Sequence, residues 1–256
     1  MRFFVVPIKY IKIALSVVIL LIMLACNISN ESMAQVYFGG SLRRVPIYAV
    51  DTTEKKVAIS FDAAWGADKT KDIMNALERY DCNATFFLVG FWIDKYSDIV
   101  KEIEARGFEI GSHSNTHPDL TKLSAEKIAL ELSSVSDKLK PLLKNKVRVF
   151  RFPFGAYNNK AIEEVEKQGF VPVQWSIDSL DWKGISAAKI SANILSKVKS
   201  GDIILCHNNA DNIVEALDTV LPMLISKGYK VVSVSELLYS DGYSINSQGI
   251  QIKNGD

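Results

Sequence analysis

Histidine, cysteine and net charge are all scarce in this chain: 256 residues carry three histidines, three cysteines and a formal charge of +1. Three cysteines at this length do not make a disulfide framework, so a scaffold stapled by bridges is excluded. The 30 Lys+Arg against 29 Asp+Glu generate no long-range pull toward nucleic acid, and no Lys/Arg-dense run makes up for it. No internal repeat and no low-complexity linker occurs, and composition excludes disorder, collagen and coiled coil. What is present is ample apolar material, 48% of residues, enough for a real core. Any imidazole chemistry must use His113, His117 and His207.

Long apolar runs are represented by residues 13–26 (IALSVVILLIMLAC), preceded by Arg2, Lys9 and Lys12. As a helix this run reaches roughly 21 Å, short of a hydrocarbon core of about 30 Å. The basic start, the short apolar stretch and Ser32-Met33-Ala34 fit a secretory signal cleaved after Ala34. An uncleaved anchor is the rival, because Ile11 and snorkelling Lys9 and Lys12 lengthen the span. Cys26 after Leu24-Ala25 offers lipidation as a third course, although Met23 stands where lipoprotein signals usually carry Leu. The expectation is a signal peptide or membrane anchor at 1–34, one domain at 35–240 and a polar tail at 241–256 that adds little. Each course leaves the remainder secreted or anchored on the outer side of the cytoplasmic membrane.

Past the leader, β-rich apolar runs alternate with helical spacing. Strands are expected at 57–61, 84–89, 108–111, 147–150, 170–177, 202–206 and 230–234. Helices are expected at 69–79, from Ile99 to a stop at Gly107, and at 124–139, 159–167, 186–198 and 213–225. Ile128, Leu132, Val135 and Leu139 recur at intervals of three and four, with Ser124 as cap and Glu126 in the first turn. Pro172 makes 170–177 irregular or an edge strand. Such α/β alternation with continuously apolar strands predicts a parallel sheet covered on both faces, closed as a barrel or open and doubly wound. Asp62, His113, Arg151, Asp178 and His207 each fall at or just past a strand's C-terminal end. Those ends converge on one rim, so residues 62 and 207 are expected in one pocket.

His113-Ser114-Asn115-Thr116-His117 sets two imidazoles at i and i+4, a pair able to chelate a divalent ion. Either one, taken singly, reads equally as a backbone-satisfied histidine. The zinc-protease pattern fails, because Ser114 stands where it needs Glu. Asp62 closes an apolar strand, where a carboxylate is costly unless paired or used; an N-cap is the plainer reading. Arg151, followed by Phe152-Pro153-Phe154-Gly155, offers a bidentate grip on a carboxylate or a surface pair of little worth. Asp178-Ser179-Leu180-Asp181-Trp182 brings two carboxylates and an indole. A carboxylate bonded to an imidazole fixes its tautomer and raises its basicity, which suits His207 as a general acid. Cys206 points away from its neighbour His207 by strand alternation and is not read as a nucleophile.

The ordered set SFD (60–62), HSNTH (113–117), RFPFG (151–155), DSLDW (178–182) and LCH (205–207) resembles the five motifs of the polysaccharide deacetylases. This is the NodB homology family, carbohydrate esterase family 4, and the resemblance runs over 57–238. The form Asp62-Ala63-Ala64-Trp65-Gly66 resembles sporulation-type deacetylases of Gram-positive bacteria. The resemblance implies a distorted (β/α) barrel of about seven parallel strands and a metal-dependent N- or O-deacetylase using a divalent ion, zinc or cobalt. By motif position, His113 and His117 bind the metal, Asp62 is the general base and Arg151 orients it. The backbone N–H of Phe154 serves the oxyanion, His207 is the general acid poised by Asp181, and Trp182 and Leu205 wall the acetyl pocket. Where the family usually carries a second acidic ligand, this chain has Ala63. That implies weak metal retention, with Asp62, Asp68 or water filling in. The implied substrate is an acetylated polysaccharide: N-acetylated cell-wall glycan, peptidoglycan foremost. Acetylated xylan or exopolysaccharide is one alternative, and glycan binding without turnover in spore or wall assembly is another. Trp65, Trp92 and Trp182 suit sugar stacking or core packing alike. A monomer with no nucleic-acid partner is expected.

Overall fold

Residues 43–255 are described by the structure, a computed structural model; the signal or anchor expected at 1–34 lies outside the described residues. The alternation read from the sequence is realised as β1 (Ala49–Val50), β2 (Lys56–Ala63), α1 (Thr70–Arg79), β3 (Thr85–Leu88), α2 (Gly90–Lys95), α3 (Ser97–Ala105) and β4 (Glu109–Ser112). There follow α4 (Ala125–Leu139), β5 (Val149–Arg151), α5 (Asn159–Lys167), β6 (Val171–Val173), β7 (Ile177–Asp178), α6 (Ala187–Leu195), β8 (Ile203–His207), α7 (Ile213–Ser226), β9 (Lys230–Val232), α8 (Val234–Leu237), β10 (Tyr243–Ile245) and β11 (Ile250–Lys253). Among the described residues no helix is long and apolar enough to cross a membrane.

The main sheet runs β6-β5-β4-β3-β2-β8-β7, with β9 pairing the first residues of β2, and every pairing in it is parallel. Its curvature follows from chain length. β6 and β7 stand on opposite edges, yet only residues 174–176 separate them. A fully extended step covers at most about 3.6 Å per residue, so the two edges lie within about 14 Å of each other. The sheet therefore curls into a distorted (β/α) barrel, as the resemblance implied. The expected single strand over 170–177 is corrected to these two short strands. Pro172 sits in β6, whose outer edge receives an isolated bridge from Ile47 rather than a full ladder.

β2 is buried on both faces because both are covered. Val57, Ile59, Phe61 and Ala63 belong to the layer packed under α1 and α7, with Ile73, Met74, Leu77, Leu217 and Leu221. Ala58 turns inward with Val149, Val173, Ile203 and Val232. Helix α4 buries the four residues its period selects, Ile128, Leu132, Val135 and Leu139, and Ser124 accepts from the Lys127 N–H as its cap. α2 was not legible, since a six-residue helix offers too few turns for a period to show.

The tail expected to add little forms structure. β11 pairs parallel with β1 and antiparallel with β10 in a separate three-stranded sheet. Gln251 is fully buried there, its side chain bonded to the Tyr239 backbone on both sides, N–H to Oε1 at 2.9 Å and Nε2 to carbonyl at 2.9 Å. β1 approaches Gly201 so closely that a Cβ there would lie 1.8 Å from the Val50 carbonyl oxygen. A side chain at 201 would displace β1.

Candidate active site

Alternation along β2 aims Asp62 into the barrel mouth, and parallel register sets it directly beside His207 on β8. Arg151, at the end of β5, is fully buried below them. Its Nη1 donates to Asp62 Oδ1 at 2.8 Å and its Nη2 to the Gln174 carbonyl at 3.1 Å, while the guanidinium carbon lies 4.1 Å from the Phe87 ring centroid. Desolvation alone would push the Asp62 carboxyl up, but Arg151, His113 and His207 together hold it below its usual range. Asp62 is thus a buried, ionised carboxylate.

His113 follows β4. Its Nδ1 lies 2.8 Å from the Arg151 carbonyl oxygen, an atom that only accepts, so the ring proton sits on Nδ1. Nε2 is left to face Asp62 Oδ2 at 3.4 Å. The His113 and His117 rings meet edge-on with centroids 4.9 Å apart, and Phe154 closes over His117 at 4.5 Å. Burial lowers the pKa of both imidazoles, that of His117 to about 4 with help from His113, so both are neutral at pH 7. The segment joining them is not the helical turn that i, i+4 spacing allows. Ser114 and His117 take left-handed φ of 66° and 58°.

Such a loop needs outside support, because left-handed backbone costs about 1–2 kcal/mol per non-glycine residue. Glu131 on α4 supplies it, accepting from the N–H groups of Asn115 and Thr116 at 2.8 and 2.7 Å and from the Thr116 hydroxyl at 2.7 Å. From the other side, Gly90 N–H at the start of α2 donates to the Ser114 carbonyl at 3.0 Å. Glu131→Ala is expected to lower stability by about 1.5–3 kcal/mol, as for hydrogen bonds to a charged group, and Glu131→Gln by less. Equal denaturation midpoints for wild type and both variants would show the clamp to be idle.

His207 is oriented by Asp181, which is buried after β7. Asp181 Oδ1 accepts from His207 Nδ1–H and Oδ2 from the His207 backbone N–H, each at 2.7 Å, and Oδ1 also takes the Trp182 N–H at 2.8 Å. Burial pulls the His207 pKa down, but the hydrogen bond and charge of Asp181 outweigh it, and the net shift is upward. Nε2 is free of this arrangement. Cys206 lies in the apolar layer on the other side of β8, its thiol pushed far up by burial.

Around Asp62, His113, His117 and His207 the cavity is walled by Phe154, Gly155 and Trp175 on one side and by Asp178, Trp182 and Leu205 on another. Ala64, Trp65 and Asn209 complete it. Of the two readings open for Trp92 the structure selects the core: it is 1% exposed, and its Nε1 donates to the Gly66 carbonyl at 2.6 Å. Trp175, Gln174 and Glu131 were missed. Trp175 and Gln174 lie in the linker between β6 and β7, which read as continuous strand, and nothing about Glu131 sets it apart from other exposed-face residues of an amphipathic helix.

A divalent ion finds an incomplete donor set. Among the described residues no group of three His, Cys, Asp or Glu side chains is placed to hold a metal. His113 and His117 offer two neutral nitrogens, Asp62 is already engaged by Arg151, and Ala63 lies in the apolar layer under the helices. Asp68 is exposed and does not line the cavity. The residues present do not fit a firmly retained ion.

Comparison with known proteins agrees with this architecture. Residues 49–173 match the polysaccharide deacetylase family. The chain is 30% identical over 198 residues to the YlxY protein of Bacillus subtilis strain 168, covering 77% of this chain but spanning only 62% of the relative's length. It is 32% identical to a peptidoglycan-N-acetylglucosamine deacetylase of Bacillus cereus, over 75% of this chain and 92% of that protein. Among solved structures, a mutant of BA3943, a CE4 family pseudoenzyme of Bacillus anthracis, with restored enzymatic activity, superposes with a TM-score of 0.74 at 32% identity over 76% of this chain and 71% of the other. With the five motifs gathered on one barrel rim, the chain belongs to the polysaccharide deacetylase family, the hydrolases of carbohydrate esterase family 4.

Proposed function

We propose that this chain removes acetyl groups from N-acetylated cell-wall glycan, peptidoglycan foremost, outside the cytoplasmic membrane. The observation that carries the reading is an ionised Asp62 and a protonatable His207 in register on adjacent strands, their pKa values displaced in opposite directions. Pairs pushed apart in this way divide the roles of base and acid. Asp62 takes a proton from water as its oxygen adds to the acetyl carbonyl carbon, and Arg151 keeps the carboxylate aimed. The Phe154 backbone N–H donates to the resulting oxyanion. His207 Nε2 then delivers a proton to the nitrogen as the C–N bond breaks, leaving a free amine and acetate. Without that proton the nitrogen would have to leave as an amide anion, a very poor leaving group, so the acid is indispensable.

Acetate release from N-acetylglucosamine oligomers, with and without added Zn²⁺ or Co²⁺, tests the reading; no release from any acetylated glycan under either condition refutes it. The pH profile follows from the two shifts. Release should persist on the acid side down to below the usual carboxylate range and fall only as pH rises through a value above the ordinary imidazole pKa of about 6.5. A descending limb below that value would remove His207 from the acid role.

A second reading, glycan binding without turnover, is favoured by one observation, the missing donor at Ala63. The same position supplies its test. Ala63→Asp buries a carboxylate among apolar side chains and should lower the apparent Tm without metal, by several degrees for about 1 kcal/mol. Zn²⁺ should then restore the variant by drawing that carboxylate out of the apolar layer toward His113 and His117, while moving the wild type little, because only a folded site binds the ion. Equal Zn²⁺ response, or wild type holding stoichiometric metal through chelator dialysis, would contradict the donor count.

A further inference from the structure

Trp65 is an exposed aromatic with an unusually fixed setting. It is 65% exposed, which forfeits most of the burial an indole can gain, yet it stands on a locked turn in the cavity wall. The neighbouring Gly66 takes φ 62°, and its carbonyl accepts from Trp92 Nε1 at 2.6 Å and Asn208 Nδ2 at 3.0 Å, both donors being buried. The indole also rests on Phe91, with centroids 5.1 Å apart and planes 34° from parallel. A core residue would not be held outward in this manner, and a mobile surface residue would not be held at all.

From this geometry we propose that Trp65, backed by Phe91 and flanked by Asn209, is a stacking platform for a pyranose ring next to the sugar being deacetylated. The ligand is accordingly a chain of linked N-acetylated sugars rather than a single one. This rests on the deacetylase reading for which sugar reacts, but the platform itself is a binding property. A pyranose presents a face of C–H groups that packs on an aromatic ring, while its hydroxyl and acetamido groups lie at the edge and need polar partners. Asn209, exposed in the same wall, offers both a donor and an acceptor. The other ligand class that stacks on indoles, nucleotides, carries phosphates. Asp62 is paired with Arg151, but the second carboxylate of the cavity wall, Asp178, disfavours those charges and leaves a neutral sugar unopposed.

The test is calorimetric titration of the full-length chain with the β-1,4-linked N-acetylglucosamine tetramer and with the monomer, for wild type, Trp65→Ala and Trp65→Phe. The tetramer should bind wild type more tightly than the monomer does. Trp65→Ala should weaken tetramer binding about tenfold, the scale of one lost aromatic stack, with Trp65→Phe staying within about threefold. Tetramer affinity unchanged in Trp65→Ala overturns the platform, as does the absence of any tetramer binding by wild type. A Trp65-dependent tetramer affinity with no acetate released would leave the platform standing and remove the deacetylase reading instead.

Discussion

Replacing His207 by alanine should lower acetate release from N-acetylglucosamine oligomers by about 10²–10⁴-fold, the range for loss of a positioned proton donor. The loss should fall on kcat rather than KM, because in the proposed mechanism the imidazole acts when the C–N bond breaks and not when the glycan docks. Its fold should survive, since His207 is a rim residue whose removal leaves no cavity in the apolar layers. Asp181→Asn should reproduce part of the loss for a different reason. An amide cannot serve as the charged partner that holds the His207 pKa up, so the alkaline limb of the pH profile should move toward lower pH. The sign also reads out in stability. A histidine with a raised folded-state pKa contributes stability in full below its unfolded value of about 6.5, and loses it as pH rises through the folded value. Asp181→Asn should therefore cost more stability at pH 5 than at pH 9. Wild type and His207→Ala releasing acetate at the same rate would sink the assignment.

Arg151→Met should be the most destabilising single change near the site, at about 3–5 kcal/mol by denaturant titration, because it strands a buried carboxylate. The methionine fills similar volume against Phe87, so the loss is electrostatic and not a packing defect. Two further measurements separate these causes. Adding Asp62→Ala to Arg151→Met should recover part of the loss, since the stranded charge is then gone. The pH dependence should also invert. In the wild type Asp62 is held low, so its stabilising contribution is present above the ordinary carboxylate pKa and disappears as pH falls through the folded value. Without Arg151, desolvation dominates and raises Asp62, so the variant should gain stability on acidification where the wild type loses it. Parallel pH curves for the two proteins would contradict the burial of this pair.

The site's residue types were legible because the chemistry sits at strand ends. An apolar run interrupted by Asp62, Arg151 or His207 announces both the strand and its rim, and parallel strands gather such interruptions without further information. The Asp181–His207 bond came only from the resemblance, since residues 178–182 offer two carboxylates, Asp178 and Asp181, and residue type does not choose between them. What escaped is whatever depends on side chains with no sequence mark. Glu131 looks like any solvent-facing residue of an amphipathic helix, yet it secures the loop bearing His117. Trp92 and Trp65 are identical letters, and only packing separates a buried donor from an exposed plate. The 170–177 run failed for a related reason: strand propensity is local, whereas the break after Val173 is imposed by closure of the barrel. The polar tail was misjudged because two short strands with one buried residue, Gln251, carry little periodicity.

β1 and β11 pair Ala49 with Ile250, partners separated by nearly the whole described chain. Loop-closure entropy must be met before such a ladder returns anything, so this sheet belongs to the late steps of folding. On a ribosome or at a translocation pore the barrel strands can assemble while β10 and β11 are still to come, and the polypeptide emerges with β1 awaiting its partner. Until then the backbone of Ala49 and Val50 is an open edge available to another chain. Shortening the polypeptide by its last ten residues would leave that edge open permanently. The visible result would be an increase in self-association, with the chemistry at the opposite, His207-bearing rim left intact.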